Sequence, residues 1–160
     1  MTTGAGSGPG VFEAATGDGP PLPPDGAEQR SREIRAAVDG LLQIRRLTLL
    51  RGGDPRAVPA DWERRRPVRA VALALESGGI TPSSVDPSGA RLSTGYRVTA
   101  GERPGTAVVE WLGPPGAGAA GEETAALGAC VPVLARLGWD ALLYKGPRGR
   151  RFLEVEPLES

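Results

Sequence analysis

The chain has 160 residues, of which 39% are hydrophobic and only 4% aromatic, and its 19 basic and 19 acidic side chains cancel. That length suits one modest domain plus a tail, and a zero net charge leaves no global field drawing the protein onto nucleic acid or an anionic membrane. Histidine is absent and Cys130 is the only cysteine, which excludes an intrachain disulfide, a thiolate metal cage and the commonest general base.

All the basic residues except Lys145 are arginine, with 24 glycines and 16 prolines alongside. These residues have GC-rich codons, so a high-GC bacterial source is expected, and clusters of Arg, Gly and Pro arise in such a background without functional cause. No run approaches the roughly 20 apolar residues of a membrane span. The N-terminus lacks the basic-then-apolar pattern of a signal peptide. A cytoplasmic protein with no membrane contact is expected.

Residues 1–27 are dominated by Gly, Pro, Ala and Thr and contain no Lys or Arg. Such a segment buries too little surface to offset its ordering entropy, so it reads as a disordered leader. Its prolines at 20–24 have PxxP spacing but no flanking basic residue, which favours a linker over a ligand for a polyproline-binding groove.

Residues 28–160 read as one small α+β domain, with a helical part at 28–80 and a β-β-α-β-β part at 91–157. From 28 to about 50, Ile34, Ala37, Val38, Leu41, Leu42, Ile44 and Leu49 fall on one helical arc. Gly40 inside this helix is expected to mark a close helix contact. Asp61 is placed to cap a brief turn holding Trp62 and Glu63, and Pro67 suits the first turn of a second helix with Val68, Val71, Ala72 and Leu75 buried. The sequence Gly78-Gly79-Ile80 predicts a Schellman stop. Residues 81–90 read as loop.

The period then changes to two. Tyr96 and Val98, then Ala107, Val109 and Trp111, predict a hairpin about the loop 100–105. A helix over roughly 122–137 carries Leu127, Cys130, Val131, Leu134 and Leu137 on one face, with Pro132 forcing either a kink or a later start. Residues 141–144 and 152–155 predict a second hairpin around a basic loop at 145–151. The order is an N-terminal helical pair followed by β-β-α-β-β. Its simplest form is a four-stranded, mostly antiparallel sheet with a helix on one face.

Among candidate sites, Gly116, Gly118 and Gly121 match GxGxxG after a strand and before a helix, as a dinucleotide site requires. With 24 glycines in 160 residues, about half a chance match is expected. Gly113-Pro114-Pro115 also loosens a turn that should be tight, and no acid follows to hold a ribose. A flexible connector is the better reading. Arg64, Arg65 and Arg66 sit where a helix starts, and Arg148, Arg150 and Arg151 crowd the tip of the second hairpin with Lys145. Either cluster is able to hold phosphates in a salt-sensitive way, but acidic neighbours and the lack of interleaved aromatics favour solvated surface. A winged-helix reading fails on the second helix, which is apolar almost all round.

Cys130 lies on an apolar helix face without an activating partner, so it reads as core. Glu122 and Glu123 diverge on their helix, and Glu154 and Glu156 share an exposed strand face. No catalytic residue, metal site or cofactor is expected. Trp111 has core parity, Trp139 is expected to pack back on its helix, and Trp62 is a turn anchor or a contact residue. The reading that follows is a non-enzymatic binding or accessory protein with a protein partner, touching it through Trp62 and the basic hairpin. A weak nucleic-acid binder is the alternative, and a nucleotide-dependent enzyme using the 116–121 loop is a remote one.

Overall fold

A computed structural model describes residues 12–49 and 52–159. Helix α1 spans Ala27–Thr48, α2 Asp61–Arg65 and α3 Pro67–Ser77. Strands β1 (Ser84–Val85) and β2 (Arg91–Ser93) form a small ladder of their own. Then come β3 (Gly95–Ala100), β4 (Ala107–Leu112), α4 (Ala119–Ala135), β5 (Trp139–Lys145) and β6 (Arg151–Pro157). The main sheet has the order β3-β4-β6-β5, antiparallel throughout. The protein is therefore α+β, with α4 and α3 covering one face of a four-stranded antiparallel sheet.

Strand parity sets which face is buried. Tyr96, Val98, Ala107, Val109, Leu153, Val155, Trp139 and Ala141 turn to the helices and are all buried. They join Leu42 of α1, Val71 and Leu75 of α3, and Leu127, Cys130 and Leu134 of α4 in one core. The front helices and the sheet thus share a single interior. Pro67 opens α3 as its fixed φ permits. At the other end Gly79, at φ +83, and Ile80 donate to the carbonyls of Glu76 and Leu75, each at 3.1 Å, which is the Schellman pattern.

Several expectations are corrected. Residues 12–26, expected within a disordered leader, form an ordered strap; residues 1–11 lie outside the described residues. The strap holds because its polar backbone finds partners. The N–H of Ala15 donates to Glu76 Oε1 at 2.9 Å, the carbonyl of Thr16 accepts from Val98 N at 2.7 Å, and that of Ala15 accepts from Tyr96 OH at 2.7 Å. Phe12 packs under the Arg30 guanidinium, 4.9 Å from its ring centre, and Arg30 pairs with Glu76. Composition alone underrates such a segment, because these contacts come from distant residues.

Gly40 marks no close helix contact: among the described residues, a methyl group there would meet no atom within 4 Å outside its own stretch of helix. Residues 84–85, expected as loop, pair with β2. Helix α4 starts at Ala119, earlier than expected, and runs on through Pro132. The carbonyl left without a donor belongs to Gly128, and both residues are exposed, so water can reach it. Trp139, the first residue of β5, is 1% exposed and packs into the core with Leu127, Cys130 and Leu134 of α4, as expected.

Candidate functional site

Two regions carry the residues singled out in sequence, and they lie apart. Arg64 donates to the carbonyls of Pro59, at 3.4 Å, and Leu158, at 3.3 Å, just beyond the end of β6. The basic tip joins β5 and β6 at their opposite end, so seven-residue strands separate the clusters by about 20 Å. Arg64 and Arg65 occupy the last turn of α2, where a helix favours cations, and Arg66 precedes α3. The positive charge at the start of α3 is therefore partly compensated by the end of α2.

At the tip, Arg150 is spoken for. Its Nε donates to Glu123 Oε2 at 2.6 Å, and its Nη2 donates to the Trp111 carbonyl at 2.9 Å. The N–H of Arg151 donates to Glu123 Oε1 at 2.9 Å. Burial pushes the Glu123 carboxyl up, yet the Arg150 guanidinium and the Arg151 N–H outweigh it and hold it below the ordinary carboxylate range. Arg148, at φ 65, and Lys145 stay exposed. On the outer sheet face Arg103 bridges Glu154 and Glu156 at 3.0 and 2.9 Å, which accounts for that pair of carboxylates.

The Gly116–Gly118–Gly121 loop is exposed, with Gly116 and Gly118 at positive φ. Glu122 and Glu123 fill the first turns of the helix it opens, where a phosphate would need the positive end of the dipole. Trp111 Nε1 donates to Glu122 at 3.3 Å. Cys130 is fully buried, its thiol pushed up to about 12 by burial, and Sγ donates to the Ala126 carbonyl. Such a thiol is inert. Among the described residues no cluster of three acidic or sulfur ligands could hold a metal ion, and no helix is long and apolar enough to cross a membrane.

Trp62 is placed by a device that sequence reading missed. Arg45 and Glu63, each 1% exposed, form a two-pronged ion pair at 2.8 and 2.6 Å. Arg45 also donates to the carbonyls of Pro55 and Leu137, and Glu63 accepts from Ala60 N at 2.9 Å. Glu63, not Asp61, is thus the residue that satisfies the start of α2. The pair ties α1, α2 and the end of α4 together and holds the intervening Trp62 in place. Arg45 was findable, since it lies one turn beyond Leu41 on the apolar arc of its helix.

Trp62 borders a groove of about 250 Å3 between α1 and α3, lined also by Phe12, Leu41, Ile44, Leu73 and Arg69. Its Nε1 is buried with no hydrogen-bond partner among the described residues. Ile44 beside it is 43% exposed, and Leu47, one residue short of the end of α1, is 74% exposed. A second cleft, of about 290 Å3, lies between α1, α3 and the end of α4, with an apolar floor and Arg35, Arg56, Arg136 and Asp39 around it. The basic tip does not join either groove. Comparison with known protein families, with curated proteins and with solved structures finds no match to this chain.

Proposed function

We propose that the protein is a non-catalytic, cytoplasmic binding or accessory protein whose contact surface is the α1–α3 groove at Trp62. The observation that carries this reading is the apolar groove itself, walled by Phe12, Leu41, Trp62 and Leu73 and bordered by Ile44, which is 43% exposed. Leu47, 74% exposed, extends the apolar surface beyond the groove, so the fitting partner is a protein segment presenting apolar side chains. The Arg clusters support a nucleic-acid contact less well. They sit at opposite ends of a hairpin, and Arg150 is already neutralised.

Ile44→Arg and Leu47→Arg separate binding from folding, because both side chains are exposed. Partner capture from the native host is expected to fall at least about tenfold, while the melting temperature holds. Capture unchanged by both substitutions would refute the groove as the contact surface.

A further inference from the structure

The main sheet has two edges, and the chain treats them differently. The free side of β3 is covered: Tyr96 N donates to Thr81 O at 3.0 Å, Ser83 N donates to Tyr96 O at 2.9 Å, and Val98 N reaches the strap. The free side of β5 has no backbone partner among the described residues. Bonds from Leu158 N to Gly138 O at 2.8 Å and from Gly146 N to Arg150 O at 2.7 Å fix which residues face β6. By alternation, Asp140, Leu142 and Tyr144 point their backbone groups inward, leaving those of Ala141, Leu143 and Lys145 unpaired at the edge. This open stretch is also apolar, with Leu142, Leu143 and Tyr144 50%, 43% and 43% exposed. Proteins ordinarily blunt such an edge with a charge, a proline, a bulge or a cover.

Charge along the strand indicates what pairs there. β5 begins with Asp140, set opposite Glu156, and ends with Lys145, followed by exposed Arg148. Antiparallel self-pairing brings each end beside its opposite, whereas parallel pairing would place like charges together. A two-fold axis normal to the sheet keeps every residue on its own face. With Leu143 on that axis, Leu142 meets Tyr144, Ala141 meets Lys145 and Asp140 meets Gly146 of the second copy, with Asp140 and Lys145 on opposite faces of the sheet. In this register Leu143 meets its own copy on the helix-side face, while on the other face Leu142 meets Tyr144, which also stacks on Phe152 of its own chain.

The helix layer permits it too. Val133 abuts Gly78 and marks the flank of α4 that faces α3. The opposite flank, toward β5, carries Thr124, Gly128, Val131 and Ala135, which are small or β-branched. We propose that the protein forms a two-fold dimer by antiparallel pairing of β5 with β5 of a second copy, merging two four-stranded sheets into one.

The full chain tests this by sedimentation equilibrium across a concentration series, where a mass twice 16.5 kDa is expected. Leu143→Lys puts two like charges on the axis and should weaken the dimer on the order of tenfold or more. A crosslink reports the register. In a hydrogen-bonded antiparallel pair the Cα atoms lie about 5.5 Å apart, within disulfide reach. Leu143→Cys should therefore link two copies under mild oxidation, with Cys130 buried and silent. Leu142→Cys, offset diagonally, should not. A monomer at every concentration, with the edge left to residues 1–11 or to a strand of another protein, would overturn the proposal. So would a dimer indifferent to Leu143→Lys in a variant whose circular dichroism shows it folded, or a Leu142→Cys that links as fast as Leu143→Cys. If Leu143→Lys unfolds the chain, the crosslinking pair decides alone.

Discussion

Two buried carboxylates do opposite things. Glu63 meets Arg45 in the interior, where each charge satisfies the other and Arg45 spends its remaining donors on the carbonyls of Pro55 and Leu137. Removing one member of such a pair strands the other, so Glu63→Gln should cost about 3–5 kcal/mol of stability, read from denaturant midpoints. A cost under about 1 kcal/mol would mean the pair is not closed in solution. Glu123 instead sits at the start of α4 and pins the hairpin tip through Arg150 and Arg151. Its carboxyl is held below the ordinary range, so its contribution is complete above the unfolded-chain value of about 4.3 and is lost as pH falls through the lower folded value. The stability gap between the native chain and Glu123→Gln should be flat at neutral pH and should close only in acid. A gap that widens on acidification would contradict this assignment.

At the level of elements, local patterns proved informative wherever the partner of a residue was close in sequence. The helical arc of α1, Pro67 opening α3, the stop at Gly79 and Ile80, and both main hairpins follow from spacing and turn chemistry alone. The strap was not legible, because what orders residues 12–26 is Glu76, Tyr96 and Val98, far along the chain. The Arg45–Glu63 pair was hidden for the same reason, and with it the placement of Trp62. Of the expected contact residues, Trp62 borders a groove, while the half-exposed Arg150 is bonded to Glu123 and the Trp111 carbonyl. Gly40 shows the reverse error, a sequence signal without a structural counterpart. Among the described residues nothing outside its own stretch of helix lies within 4 Å of an added methyl there, and its φ is not in the left-handed region, so Gly40→Ala should stabilise the protein by about 1 kcal/mol. Thermal unfolding that shifts downward would show that α1 meets a neighbour at this position after all.

For the whole molecule, the groove at Trp62 and the open edge of β5 both depend on the helices and the sheet sharing one interior. Leu42, Val71 and Leu75 enter the same core as Val109, Leu134 and Leu153. Arg45 fastens the far end of α1 to the end of α4, and the strap clamps α3 to β3 through Glu76 and Val98. Such a unit opens cooperatively rather than by parts. Native-state hydrogen exchange measures this most directly, residue by residue along the chain. The slowest amides of α1 and α3 should report the same opening free energy as those of β4 and β6. Front helices that exchange at a clearly lower free energy than the sheet would contradict a common core.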